Sequence, residues 1–319
     1  MPETGADAMG ALTLLITGAG GYIGRHAVDE ALHQGHRVIA VLRRPADMPD
    51  GVDVLHCDLA EGGDALAAAC ARADVVIHCA ASMSGDAGEH ARDTLKATET
   101  LMSSMPRGGR IVLLGSIAVY DYEVLEPDAM LTEAAPLEDR PERRDGYAAG
   151  KLGQEHLALR LAADHEHKLT ILRAGAVFGP GRLWNAHFGP MIGPLLIRME
   201  SRGELPLCHI STCVQALTNA AERPATGPIN VLDEDLPHRD RYLNCLAKGP
   251  NLVLPLNWRW LVPLAHLLRP LGPRRPGLLR PAVLRARFLP LRYDNSRMRE
   301  VLGVRQAHGF ELLMHEAQQ

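Results

Sequence analysis

The chain has 319 residues, 46% of them hydrophobic and 23% charged, which is enough apolar material for a sizeable core and excludes both a small disulfide-stapled scaffold and a disordered chain. A net charge of −4 and a pI of about 6.4 carry none of the basic excess that marks nucleic-acid binders. Among 34 basic residues there are only four lysines, Lys96, Lys151, Lys168 and Lys248, so an arginine needs a positional reason before it counts as functional.

The six cysteines, Cys57, Cys70, Cys79, Cys208, Cys213 and Cys245, form no CxxC pair and read as reduced, mostly buried thiols of a cytoplasmic protein. Residues 1–10 carry acids and no apolar run, so no signal peptide is expected, and no apolar stretch reaches the roughly 18 residues of a membrane span. No HExxH or paired Cys/His spacing is present, and no metal is expected; His165 and His167 flank Glu166 in a merely polar stretch.

In chain order, the first half alternates short apolar runs with helical patterns. Strands are expected at 13–17, 37–42, 52–56, 74–79, 110–114 and 169–174, with helices at 24–34, 65–71, 91–105 and 147–164. That alternation predicts an α/β fold, a Rossmann-type doubly wound parallel sheet with its ligand at the carboxyl ends of the strands. After Gly179-Pro180-Gly181 the pattern breaks, returning as a helix at 210–221 and a strand at 228–232. We therefore expect a dinucleotide-binding domain over 11–181, rejoined by 209–232. A smaller, mostly helical C-terminal substrate domain takes 182–208 and 233–305, and the substrate pocket lies between the two.

Thr17-Gly18-Ala19-Gly20-Gly21-Tyr22-Ile23-Gly24 falls between the first strand and the first helix. Glycines there let the backbone approach a pyrophosphate, and the helix that follows offers free N–H groups and the positive end of its dipole. At the end of the second strand, an acid would bind the ribose hydroxyls of NAD and an arginine the extra phosphate of NADP. Here Arg43 and Arg44 stand there and no acid occurs until Asp47, so NADP is expected ahead of NAD.

Tyr147 and Lys151 stand four apart at the start of a predicted helix and share a face. A phenol of ordinary pKa is a poor acid–base catalyst at neutral pH, and a neighbouring ammonium is expected to stabilise its phenolate. A hydroxyl donor to orient a carbonyl should come from a neighbouring strand end, where Ser116 stands.

Together these segments resemble the extended short-chain dehydrogenase/reductases, the superfamily of sugar-nucleotide epimerases, dihydroflavonol reductases and 3-beta-hydroxysteroid dehydrogenases. The glycine motif at 17–24, with Gly18, Gly21, Tyr22, Ile23 and Gly24, is matched by Asp58-Leu59 as the adenine-contacting pair and by His78-Cys79-Ala80-Ala81 as the stretch lining the cofactor. Ser116, four before Tyr120, resembles the S-x-x-V-Y element, and Tyr147-Ala-Ala-Gly-Lys151 the Y-x-x-x-K core. The run 172–181 resembles L-R-P-x-x-V-Y-G-P-G, and 293–296 with 302–303 the C-terminal element. The resemblance implies a Ser116–Tyr147–Lys151 mechanism, with Tyr147 moving the proton and Lys151 also holding the nicotinamide ribose. It also implies a homodimer formed by the helices near 91–105 and 147–164.

Departures from the family pattern narrow the branch. Ile117-Ala118 stands where dehydratases carry Asp-Glu, which argues against elimination of water. Residues 205–209, Leu-Pro-Leu-Cys-His, lack the cation that binds a sugar-nucleotide diphosphate. Thr94 and Thr212 replace a customary Asn and Asp, which puts local helix packing in question. Between Asn251 and Glu300 there are ten arginines against Asp294 and Glu300, a local charge of +8. That basic, leucine-rich stretch fits an apolar pocket, a peripheral contact with anionic lipid, an anion on the substrate, or a helical lid with solvated arginines. The sequence thus points to an NADP-dependent oxidoreductase acting on a ketone or secondary alcohol of a hydrophobic, polyketide- or steroid-like small molecule. The alternatives are a sugar-nucleotide 4-epimerase with tightly bound NAD and a non-catalytic NADP-binding module.

Overall fold

The structure, a computed structural model, describes residues 10–84, 86–268, 270 and 277–319. The first nine residues of the expected leaderless start, and Arg269, Arg274 and Arg275 of the basic stretch, lie outside the described residues.

Seven strands form one parallel sheet: β1 (Thr13–Thr17), β2 (Arg37–Leu42), β3 (Asp53–His56), β4 (Val75–His78), β5 (Arg110–Ser116), β6 (Lys168–Ala174) and β7 (Pro228–Val231). Their order is β7-β6-β5-β4-β1-β2-β3. The chain thus winds outward from β1 in one direction and from β4 in the other, and the crevice for a ligand opens where the direction reverses. Register at that point is set by Leu14, which pairs with Val38 of β2 and Val75 of β4. Both strands are covered on both faces, which is why they read TLLIT and VVIH with no polar alternation.

Six helical segments cover the sheet: α1 (Tyr22–His33), α2 (Asp64–Arg72), α3 (Ala87–His90), α4 (Ala97–Ser104), α5 (Gly146–Asp164) and α6 (Ile210–Glu222). Successive side chains of β1 serve opposite cores. Leu14 and Ile16 pack with Val28 of α1 and Leu217 of α6, whereas Leu15 packs with Leu66, Leu101 and Ala158 of α2, α4 and α5. The helix expected from 91 starts earlier, because Asp86 accepts a hydrogen bond from Glu89 N at 2.8 Å and caps α3, which runs through a wider π-type turn at Ala91–Lys96 into α4.

The remainder holds helices at Arg239–Cys245, Leu261–Leu267, Pro281–Phe288 and Phe310–Glu316, together with a three-stranded sheet of Met191–Ile192, Leu195–Arg198 and Leu252–Pro255. That sheet was not legible in the sequence: its strands are two to four residues long, and Gly193-Pro194 make its tight turn, Gly193 with φ of 57°. Nor do the arginines here simply ring the surface. Arg280 donates to Arg144 O at 2.7 Å, Arg285 to Tyr122 O at 2.8 Å and Arg297 to Thr226 O at 2.5 Å, so three of them staple backbone carbonyls.

Both departures from the family pattern in the helices are accommodated. Thr94 Oγ1 accepts from Ser82 N at 2.9 Å. Thr212 donates to Asp233 Oδ1 at 2.8 Å, and His209 N meets both oxygens of that carboxylate at 3.0 and 2.9 Å, so a residue just past β7 supplies the acid at the N-terminus of α6. Burial pushes the Asp233 carboxyl up to about 7, against the opposing pull of those hydrogen bonds.

A carboxyl whose folded value lies above its unfolded one holds its proton longer in the native state, so its contribution to stability falls as pH rises between the unfolded value near 3.8 and about 7. We expect the wild type to lose stability relative to Asp233→Asn across that window. Urea midpoints of both proteins at several pH values check this, and a constant gap contradicts it.

Candidate active site

The turn between β1 and α1 is closed by Gly21 N donating to Gly18 O at 2.8 Å. Gly18 has φ of 66°, and a Cβ on it would stand 2.9 Å from Ala80 N. A Cβ on Gly24 would run into Gly18 O. Gly21 precedes α1 without a side-chain cap and the first turn, which holds Tyr22 and Ile23, has no acid, so its N–H groups are left for an anion. A backbone cradle that any Cβ would fill, at the positive end of a helix, fits the diphosphate of a dinucleotide.

Beside it lies a cavity of about 550 Å³ lined by Gly18, Gly21, Arg43, Arg44, Asp58, Leu59, Cys79, Ala80 and Ala81, which brings the expected nucleotide-binding residues together. Arg43 is not free there: it pairs with Asp93 at 2.6 Å, and Arg92 bridges Asp93 at 2.7 Å to Asp58 at 2.6 Å. The Arg43 hydrogen bond holds the Asp93 carboxyl below the usual range. Asp93 carries no local signal of this role, since it lies 50 residues away from Arg43.

A second cavity, of about 500 Å³, shares Gly18, Gly21, Cys79, Ala81 and Met83 with the first and contains Ser116, Tyr147 and Lys151. Asp145 caps α5 by accepting from Ala148 N at 2.9 Å, which sets Tyr147 and Lys151 in its first turns on one face. Burial pushes the Tyr147 phenol above its ordinary value, and the nearby Ser116 hydroxyl opposes this. The expectation that the neighbouring ammonium stabilises the phenolate is not met: Lys151 is not among the groups that shift the Tyr147 phenol. Lys151 is instead turned into the protein, where Nζ donates to Leu114 O at 2.8 Å and Gln154 Oε1 at 3.0 Å. With neutral acceptors only, burial lowers it to about 8.

Behind the lysine runs a buried polar chain. Gln154 Nε2 donates to Thr98 Oγ1 at 3.0 Å, which lies 2.9 Å from His78 Nε2, while His78 Nδ1 lies 2.7 Å from Thr17 Oγ1. His78 is kept neutral, its value lowered to about 3 by burial and by Lys151. The chain ties the residue before the glycine turn to the α5 lysine. Thr17 and His78 stand in motifs legible in the sequence, whereas Gln154 went unread although it lies three residues past Lys151 on the same helix face. The other walls include Ile117, Tyr122, Val283 and Ala286, with Arg144, Arg182, Trp184, Asn185, His187 and Arg287 as polar or amphipathic members. Arg182 lies over the Tyr22 ring at 4.8 Å.

We expect Gly24→Ala to weaken binding of NADP and NAD alike by at least about tenfold, because the new methyl must push the turn off α1. Titration calorimetry with both nucleotides checks this, and unchanged affinity would falsify the cradle.

Residues 14–231 match the model of the NAD dependent epimerase/dehydratase family. The chain is 26% identical over 267 residues to cinnamoyl-CoA reductase 1 of Arabidopsis thaliana, covering 76% of each protein. It is 28% identical over 235 residues to dTDP-4-dehydro-6-deoxy-D-allose reductase of a Streptomyces species, covering 68% of this chain and 72% of that protein. Among solved structures, MoeE5 in complex with UDP-glucose and NAD superposes with a TM-score of 0.70 at 23% identity, over 96% of this chain and 97% of that one. At these identities the structural likeness speaks for the fold alone, whereas the family model spans more than half of the chain. The protein therefore belongs to the NAD-dependent epimerase/dehydratase family and is an NAD(P)-dependent enzyme of the extended short-chain dehydrogenase/reductase type.

Proposed function

We propose that the enzyme is an NADP-dependent reductase of a ketone on a hydrophobic small molecule, working also in reverse on the secondary alcohol. The observation that carries this reading is that Ser116, Tyr147 and Lys151 line one largely apolar cavity that opens onto the glycine cradle. When bound, the dinucleotide supplies the hydride. Ser116 and Tyr147 both donate to the carbonyl oxygen, and Tyr147, protonated at neutral pH because burial raises its phenol, gives that oxygen its proton. The resulting phenolate is reprotonated from solvent. Lys151 keeps a third donor beyond Leu114 O and Gln154 for the ribose or for that phenolate.

The reductase reading is favoured over a sugar-nucleotide epimerase by the strand Leu207–His209, which is buried against Ala176–Phe178 and has no arginine or lysine at the place of the family's diphosphate-binding arginine. Two of the curated relatives above are reductases by name, which supports the same choice. NADP is preferred because Arg43 and Arg44 line the nucleotide cavity at the end of β2, with Arg43 already oriented by Asp93. Six free thiols suit the reducing, cytoplasmic setting that belongs to this reading.

Two outcomes are expected. Tyr147→Phe lowers kcat by between about a hundredfold and ten-thousandfold while NADPH still binds; NADPH consumption across a ketone panel, with a UDP-hexose control, measures it. Near-normal turnover in that variant removes the mechanism. The double change Arg43→Ser, Arg44→Ser weakens NADP by more than about tenfold and leaves NAD unaffected, and a parallel loss of both affinities refutes the cofactor assignment.

A further inference from the structure

The loop that follows Gly181 brings Asn185 and His187 into the cavity of Tyr147. Their hydrogen bonds settle which ring nitrogen of His187 carries the proton. Asn185 Oδ1 lies 2.9 Å from the backbone N of His187, and a backbone N–H only donates, so this atom is the amide oxygen. The same oxygen lies 2.6 Å from His187 Nδ1. An amide oxygen has no hydrogen to give, so Nδ1 is the donor. Burial, with the guanidiniums of Arg239 and Arg287 adding to it, lowers the imidazole to about 3 and keeps it neutral. A neutral ring protonated at Nδ1 carries its lone pair on Nε2. Among the described residues nothing donates to that atom.

The ring is also held in place. Arg239 is buried and satisfies its guanidinium on three carbonyls, His187 O at 2.8 Å, Arg202 O at 2.9 Å and Arg287 O at 2.9 Å. It therefore locks the backbone of His187 to that of Arg287, at the end of the Pro281–Phe288 helix, which forms another wall of the cavity. Of the other polar groups that line the cavity, Arg144, Lys151, Arg182 and Arg287 only donate, Ser116 and Tyr147 donate and accept, and Asp145 accepts. His187 Nε2 is an acceptor fixed among them.

We propose that His187 is a specificity-determining residue that accepts a hydrogen bond from a hydroxyl of the substrate, so that the enzyme selects hydroxy-ketones. This deepens the ketone-reductase reading and rests on it for the carbonyl, though not for the hydroxyl. An acceptor that loses its water to a bound ligand and finds no donor on it costs free energy. A site of this kind therefore rejects an analogue whose hydroxyl is capped far more strongly than an apolar pocket rejects a change of one methyl.

The test is equilibrium binding in the presence of NADP, read by quenching of tryptophan fluorescence, since Trp184 lines the same cavity. The probes are phenyl ketones hydroxylated at the α carbon, the β carbon or the ring, each paired with its O-methyl ether. In at least one pair the hydroxy compound should bind about tenfold or more tightly than its ether. His187→Phe should bring that ratio close to one with NADP affinity unchanged, which also shows that the variant is folded. His187→Gln, whose side chain keeps an acceptor oxygen, should retain part of the preference. Equal binding within all three pairs, no binding of any probe, or a preference that survives in His187→Phe overturns the proposal. If the hydroxyl preference holds in binding but wild-type enzyme consumes no NADPH with any of these ketones, the reductase reading fails and the role of His187 stands.

Discussion

The site is organised around one ammonium group that is buried with no counter-ion among the described residues. Lys151 is about 5% exposed, and its charge is met by the carbonyl of Leu114 and the amide oxygen of Gln154 rather than by a carboxylate. A carboxylate would hold the lysine more tightly and quench its field. Neutral acceptors hold it in position and leave the charge available to whatever is bound beside it. Keeping Gln154 in that role requires Thr98 and the neutral His78, and His78 in turn is bonded to Thr17, where the first strand becomes the glycine turn. The cradle and the helix that carries Tyr147 and Lys151 are thereby parts of one hydrogen-bonded unit.

Arginines do the mechanical work in the second half of the chain. Arg239, Arg280, Arg285 and Arg297 each direct the planar fork of the guanidinium at backbone carbonyls, joining loops that have little regular structure to satisfy one another. The staples of Arg239, Arg280 and Arg285 reach His187, Arg287, Arg144 and Tyr122, which line the cavity of Tyr147, and so help to fix its shape. The strongly basic composition of this region thus reflects internal cross-linking to a large extent, and the groups that face the cavity, Arg182 and Arg287 among them, are a small part of it.

Much of the fold could be read in advance because its signals are local. Apolar runs such as VVIH announced a strand covered on both faces, Gly18 to Gly24 announced a turn that side chains would block, and the four-residue spacing of Tyr147 and Lys151 announced a shared face. Reading failed where a partner was remote or an element was short. The strands Met191–Ile192 and Leu195–Arg198 are too brief for any periodicity, and the capping of α3 by Asp86 lengthened a helix whose apolar pattern begins later. The tyrosine is the clearest difference: spacing suggested an ammonium acting on its phenolate, whereas in the folded protein burial dominates and the lysine is engaged elsewhere.

By itself the sequence determined the order of strands and helices, the glycine cradle, and the candidate trio of Ser116, Tyr147 and Lys151, because each follows from residue types at fixed short spacings along one element. Tertiary structure alone decided that Asp93 holds Arg43, that Asp233 replaces the acid missing at Thr212, that Gln154 and His78 support Lys151, and that Arg239 braces His187. Periodicity states which face of an element a side chain takes. What stands opposite that face, and so whether a charge is paired, stapled to a carbonyl or left for a ligand, is set only when elements far apart in the chain are packed together.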